Sequence, residues 1–175
     1  MKKCLLLFIL MSAIFLPFTG CKKVAPVPPV ITPTPVPGCD WSMTTGNAAF
    51  AARMFHSSVV YNNAMWVIGG VGPNYLYYND VWYSINGVDW QLATGNAAFG
   101  GREQHTSVVF NNQLWVIGGI GQDGALNDAW HSTNGTDWIE ATGNAAFGCR
   151  FGHSSVVHDG KIWVIGNNCS SIADV

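Results

Sequence analysis

Thr45-Gly-Asn-Ala-Ala-Phe50 returns as Thr94-Gly-Asn-Ala-Ala-Phe99 and again as Thr142-Gly-Asn-Ala-Ala-Phe147, the starts lying 49 and 48 residues apart. A period of that size marks a propeller or a related repeat array. The rest of each unit keeps the same phase. Arg53, Arg102 and Arg150 stand eight residues after each Thr, and His56, His105 and His153 stand eleven after it. Trp-Val-Ile-Gly recurs from Trp66, Trp115 and Trp163. Each unit is then one supersecondary element whose apolar faces are covered by its neighbours.

Within one unit the pattern predicts four strands. Arg102 to Phe110 ends in the β-branched run Thr-Ser-Val-Val-Phe, and Asn111-Asn112 supplies a tight turn. Leu114-Trp-Val-Ile117 is continuously apolar, as in a strand covered on both faces, and Gly118-Gly119 ends it. Asn127 to Ser132 reads as a third strand, Asn134-Gly135 as a two-residue hairpin turn, and Asp137 to Ala141 as a fourth strand. The first unit matches in order: Phe55 to Tyr61, Met65 to Ile68, Asn79 to Ser84 and Asp89 to Ala93. Its one length difference falls after the double glycine, where Val71 to Tyr78 is one residue longer than Ile120 to Leu126.

All eight tryptophans occupy repeated positions: 41, 90 and 138; 66, 115 and 163; 82 and 130. A ligand site needs its aromatics once, whereas a stacked array needs them in every unit, so these are read as packing between blades. The apolar strand ending in Gly69-Gly70 and Gly118-Gly119, the aromatics Trp82 and Trp130, and the closing Trp90 and Trp138 together resemble the kelch-repeat β-propellers, over residues 39–168. The resemblance implies an all-β fold of four-stranded antiparallel blades. Segments 84–90 and 132–138 also resemble the Asp-box turn of sialidase propellers, one residue short and with Asn in place of Asp, and are read as hairpin turns. Residues 39–44 correspond to a fourth strand set before the first full unit, the position from which kelch propellers close their ring. The third unit shows two strands, with Gly166-Asn167 in place of the double glycine. The expected array is thus incomplete, two full blades with partial units at both ends, where a closed ring typically takes four to eight. A truncated reading frame and closure by self-association through open blade edges both account for that.

Ahead of the repeats, residues 1–20 carry Lys2 and Lys3, an apolar stretch from Leu5 to Leu16, and then small residues before Cys21. The stretch is short for a spanning helix and reads as an export signal. Phe18-Thr-Gly-Cys21 resembles a bacterial lipobox, which implies that Cys21 carries the lipid; the alternative is an ordinary secretory signal with an incidental Cys. Residues 21–38 are proline-rich and form an extended, semi-rigid spacer, leaving 39–175 as the repeat domain. Without residues 1–20, six basic residues stand against ten acidic ones. Nucleic acid is therefore not an expected partner. Cys39, Cys149 and Cys169 remain in an exported domain where disulfides form, and spacing does not choose a pair among them.

Arg-x-x-His is the strongest chemical motif. In kelch propellers the first strand lines the central channel, so the resemblance implies that Arg53, Arg102 and Arg150 could form an electropositive ring for a carboxylate or acidic sugar. The architectural reading has each Arg brace the adjacent connection and each His bond a neighbouring backbone group. A zinc site from His56, His105 and His153 is not expected, because equivalent residues on successive blades do not converge to ligand distance. The Tyr–Cys crosslink of the copper-radical oxidases that share the fold has no counterpart here. Asp80 and Asp128 recur, as do Asp89 and Asp137, which points to hydrogen bonding at turns and strand ends. The non-repeating loop with Tyr75, Tyr77 and Tyr78 offers aromatic surface for a sugar ring or peptide, or for packing on the blade edge.

These readings converge on a lipid-anchored protein of the bacterial cell envelope, attached to a membrane through Cys21, that binds protein or glycan without catalysis. No cofactor, metal or catalytic residue is expected. The alternatives are a carbohydrate-active enzyme, since kelch propellers also host sugar epimerases and oxidases, and a truncated product without independent activity.

Overall fold

The computed structural model describes residues 41–166 and Cys169. The leader, Cys21, the proline-rich spacer and Cys39 lie outside the described residues. The chain divides into two units at Thr44/Thr45. Within the first, Trp41 to Thr44 form no strand. The closing fourth strand expected there is not formed by those residues.

Among the described residues, the regular structure of the second unit is antiparallel strands and one turn of 3-10 helix. The first blade runs β1 (Ser57–Tyr61), β2 (Ala64–Val71), β3 (Tyr77–Ser84) and β4 (Gln91–Thr94), each paired with the next. The second blade repeats it as β5 (Arg102–Glu103), β6 (Thr106–Phe110), β7 (Gln113–Gly121), β8 (Gly124–Ser132) and β9 (Ile139–Thr142), with β5 and β6 both paired to β7. The third shows β10 (Ser154–His158) paired with β11 (Lys161–Ile165). The predicted first strand of the second unit is therefore broken at Gln104-His105, where Gln104 takes a positive φ of 53°.

The glycine doublet does not end the second strand. It makes a bulge inside it: the register shifts between Ile68 and Gly70 and between Ile117 and Gly119, and pairing continues to Val71 and Gly121. Both glycines of each doublet have positive φ, which side chains on Cβ would oppose. Space is equally restrictive. A Cβ on Gly69 would lie 3.0 Å from the Arg102 carbonyl oxygen and the His105 ring of the next blade, and one on Gly70 2.8 Å from the Met54 carbonyl oxygen of its own blade.

Turn chemistry fixes the other end of each blade. Asn62-Asn63 and Asn111-Asn112 both sit at positive φ, as a tight antiparallel hairpin requires. The turn before the fourth strand is longer than the two residues expected. Ser132 Oγ accepts the Asn134 and Gly135 N–H groups, and Asn134 Oδ1 accepts those of Thr136 and Asp137, so β9 starts only at Ile139. Ser84 and Asn86 repeat this network in the first blade.

The core lies between blades. Trp66, Ile68, Tyr61 and Val81 of the first blade pack with Leu114, Val116 and Trp138 of the second. Val108, Ile117, Ala129 and Trp115 of the second face Ile162 and Val164 of the third. One face of each blade thus always meets the opposite face of its successor. Every tryptophan from Trp66 onward also donates its indole N–H, for example Trp66 to the Tyr61 carbonyl and Trp138 to the Gly135 carbonyl, so burial leaves no indole donor unpaired. The repeated hexapeptide joins blades: Phe99 packs edge-on to Trp138, Ala97 N–H donates to the Asn79 carbonyl, and Asn79 Nδ2 donates to Asn96 Oδ1.

Candidate functional site

The arginines of the Arg-x-x-His motif point inward. Arg53 makes a two-pronged pair with Asp80 (2.6 and 2.9 Å), and Arg102 makes the same pair with Asp128 (2.7 and 2.8 Å). Nη1 of each also donates to a doublet carbonyl, Gly69 or Gly118. Arg150 donates to the Gly166 and Phe147 carbonyls. All three are buried, each guanidinium lying over the ring of the preceding Phe50, Phe99 or Phe147. Trp82 and Trp130 complete the carboxylates with a second donor at 2.7 Å. Burial alone would raise the Asp80 pKa, but the bonds from Arg53 and Trp82 outweigh it and hold the carboxyl below its ordinary value. The geometry is that of braces fixing the start of each blade to its third strand. Asp80 and Asp128 act within β3 and β8, not at turns.

The histidines form a polar seam between inner strands. His105 Nε2 lies 2.7 Å from Ser57 Oγ, which in turn meets Ser107 Oγ at 2.5 Å. One blade on, His153 Nε2 lies 2.9 Å from Thr106 Oγ1, and Thr106 Oγ1 meets Ser155 Oγ at 2.6 Å. His105 and His153 thus each bond a side-chain hydroxyl of the preceding blade, and His105 also bonds the Ile68 backbone, the kind of partner expected. Burial and the neighbouring arginine depress the pKa to about 3 for His105 and about 4 for His153. Among the described residues no three metal-ligating side chains converge.

The tyrosines separate. Tyr75 stands 80% exposed at the tip between β2 and β3, where Pro73–Tyr75 form the 3-10 turn. Tyr77 and Tyr78 belong to β3 itself. The Tyr78 ring stacks under the Arg53 guanidinium at 4.5 Å and covers Gly72, so its role is in packing. Tyr77 is half-buried, its backbone against Gly101 of the next blade.

Between the fixed Arg and the fixed His, two positions vary: Met54-Phe55, Glu103-Gln104 and Phe151-Gly152. These pairs stand side by side. The Gln104 N–H donates to the Phe55 carbonyl (2.9 Å) and the Gly152 N–H to the Gln104 carbonyl (2.8 Å), linking three blades by backbone. Their second members all have positive φ: 55° at Phe55, 53° at Gln104 and 63° at Gly152. Met54 pairs with Val71 and Glu103 with Ile120, so this rim shares the end of the blades that carries the Tyr75 tip. Phe55 is 53% exposed, and Met54 is exposed beside it. Glu103 is buried, which raises its pKa against the opposing bond to Gln104.

Left-handed backbone divides the molecule into two ends. At the Asn-turn end the non-glycine residues with positive φ are Asn62, Asn63, Asn111, Asn112 and Asp159, types that tolerate it. At the other end they are Phe55, Gln104, Asn74 and Tyr75, and three of these four do not. The sequence signal for this rim was the variability of the two positions inside an otherwise invariant frame.

A chain of four-stranded antiparallel blades, braced alike and stacked face to face, is a propeller array. The model of the KLHDC2/KLHL20/DRC7 Kelch-repeats domain matches residues 38–174, and the chain belongs to the kelch-repeat family. Among solved structures it is similar to that titled "Structure of YjhT", with a TM-score of 0.54 and 22% identity over 66% of this chain. The match spans 34% of that longer chain and concerns the fold. No curated protein matches the chain.

Proposed function

We propose that this chain is an exported cell-envelope protein, lipid-anchored through Cys21, whose kelch blades bind a protein or glycan ligand without turning it over, at the rim formed by Phe55, Gln104 and the Tyr75 tip. The observation that carries the reading is the concentration of strained, non-repeating residues at that one end. Holding Phe, Gln and Tyr in left-handed backbone costs on the order of 1 kcal/mol or more at each position, and such strain collects at functional sites. Gly152, at the equivalent place, has the residue that folding alone would favour. Phe55 and Tyr75 present exposed rings suited to a sugar ring or an apolar side chain, and the half-buried Gln104 is held next to Phe55 by its backbone bond. Export is supported by the basic and apolar leader and by the Cys149–Cys169 disulfide, a bond favoured in oxidising compartments.

The test exploits the strain. Phe55→Gly and Gln104→Gly keep or raise the melting temperature, because glycine accepts the backbone, while they abolish signal on glycan and peptide arrays. Wild-type arrays with no ligand, or variants that bind unchanged, overturn the reading. Turnover of a sugar that is lost in Glu103→Gln would replace it with the enzyme alternative at the same rim.

A further inference from the structure

The frame of the first two blades is repeated, but the tips between their second and third strands are not. In the first blade the tip is Gly72-Pro-Asn-Tyr-Leu76, closed by the Gly72 N–H donating to the Leu76 carbonyl at 3.0 Å. In the second it is Gly121-Gln-Asp-Gly124, closed by the pairing of Gly121 with Gly124. Gly101 lies at the base of both. A Cβ on it would come within 2.7 Å of the Tyr77 carbonyl oxygen, and one on Gly121 within 2.9 Å of the Gly101 carbonyl oxygen. The two tips therefore rise side by side, and they differ in chemistry. Tyr75 and Leu76 are large, apolar and 80% and 58% exposed, whereas Gln122 and Asp123 are exposed and polar. Asp80 and Asp128 are held by arginines, and Asp89 and Asp137 by Asn86 and Asn134, but the Asp123 carboxylate makes no bond among the described residues.

The charge at this end is one-sided. Among the described residues the basic side chains are Arg53, Arg102 and Arg150, all buried, and Lys161, which opens β11 at the opposite, hairpin end. Burial and the adjacent arginines also lower the pKa of His56, His105 and His153, so none of the three adds a cation at neutral pH.

We propose that the rim takes a segment of another protein in which a lysine or arginine stands next to large apolar side chains, the apolar groups seated on Tyr75 and Leu76 and the cation against Asp123. The inference rests on the binding reading above and names its ligand. A carboxylate with no basic neighbour attracts a cationic ligand and repels an acidic one, which fixes the sign of the partner. Leu76 decides its class. A sugar ring stacked on Tyr75 would turn hydroxyls toward an aliphatic surface that offers them no partner, at the cost of their desolvation, whereas an apolar side chain gains by the same burial.

Three synthetic peptides test it, each built on a leucine–tryptophan pair and flanked by two lysines, two serines or two glutamates, titrated against the full chain beside a glycan array. The lysine peptide binds most tightly and the glutamate peptide least. Asp123→Asn lowers the advantage of lysine over serine by about two- to fivefold, the scale of an exposed ion pair. Asp123→Lys reverses the order of lysine and glutamate. Leu76→Ser and Tyr75→Asn, the latter a residue that tolerates left-handed backbone, weaken all three peptides by about tenfold. Both Asp123 variants keep the wild-type melting temperature, since the carboxylate holds nothing within the described fold. Equal binding of the three peptides, or a lysine preference unchanged in Asp123→Asn, overturns the proposal. Binding to glycans and to no peptide also overturns it, yet leaves the rim as a binding site if Phe55→Gly abolishes the glycan signal. Silence of the wild type towards peptides and glycans alike removes both readings.

Discussion

His105 Nε2 sits 2.7 Å from Ser57 Oγ across a blade boundary, in a buried site. Its pKa is held at about 3 by burial first and by Arg102 second, against 6.5 when unfolded. A base whose folded pKa is depressed loses stability as pH falls, because below 6.5 the unfolded chain binds a proton that the folded one refuses. Stability should therefore fall from about pH 6.5 towards pH 3, with His105 contributing roughly 1.4 kcal/mol per pH unit. Urea unfolding across that range measures it. His105→Gln should give a shallower slope at some cost in stability at pH 7, and an unchanged slope would remove His105 from the account.

Arg102 is among the most deeply buried side chains of the chain, and its partner Asp128 has little other solvation. Arg102→Ala leaves that carboxylate uncompensated and should cost about 3–5 kcal/mol. Arg102→Lys should recover little of it, since an ammonium cannot make the two-pronged pair and also reach Gly118. Chemical denaturation gives both values. A lysine variant as stable as wild type would show that charge alone suffices.

Gly135 lies under the Trp66 ring of the preceding blade at a φ of 75°. Gly124 also has positive φ, yet nothing lies within 4 Å of where its Cβ would be. Gly124→Ala should thus show only the backbone penalty of about 1–2 kcal/mol, and Gly135→Ala clearly more, since Trp66 must leave its seat. Trp66→Ala alone should cost about 3–5 kcal/mol. In the double variant the two losses should not add, and full additivity would separate the residues.

Cys149 and Cys169 are bonded across a separation of 20 residues, which ties the start of the third blade to the segment after β11. Reduction, or Cys149→Ser, should lower stability by roughly 3 kcal/mol. Melting with and without a thiol reductant reads the difference, and the Cys149→Ser chain should be indifferent to the reductant.

Architecture was legible because it is repeated: three copies of one period expose blades, interblade tryptophans and hairpin turns without any long-range knowledge. Strand limits were less so, since the doublet glycines look like a stop and act as a bulge that depends on the next blade's Arg102 and His105. The direction of the arginines was also hidden. Asp80 lies 27 residues from Arg53, and only the folded sheet brings them to 2.6 Å. The rim was half legible, because Phe55 and Gln104 conceal a backbone conformation that Gly152 alone discloses.

The division of labour within the glycine doublet bears on how such a chain grows. Gly69 is shaped to admit the following unit and Gly70 to admit its own first strand, so each unit carries the imprint of its successor as well as of itself. A tandem duplication of one whole period arrives with its contacts already solved. Recombination at any other phase would separate imprint from occupant, so the genetic length of this chain can change cheaply only in steps of a whole unit.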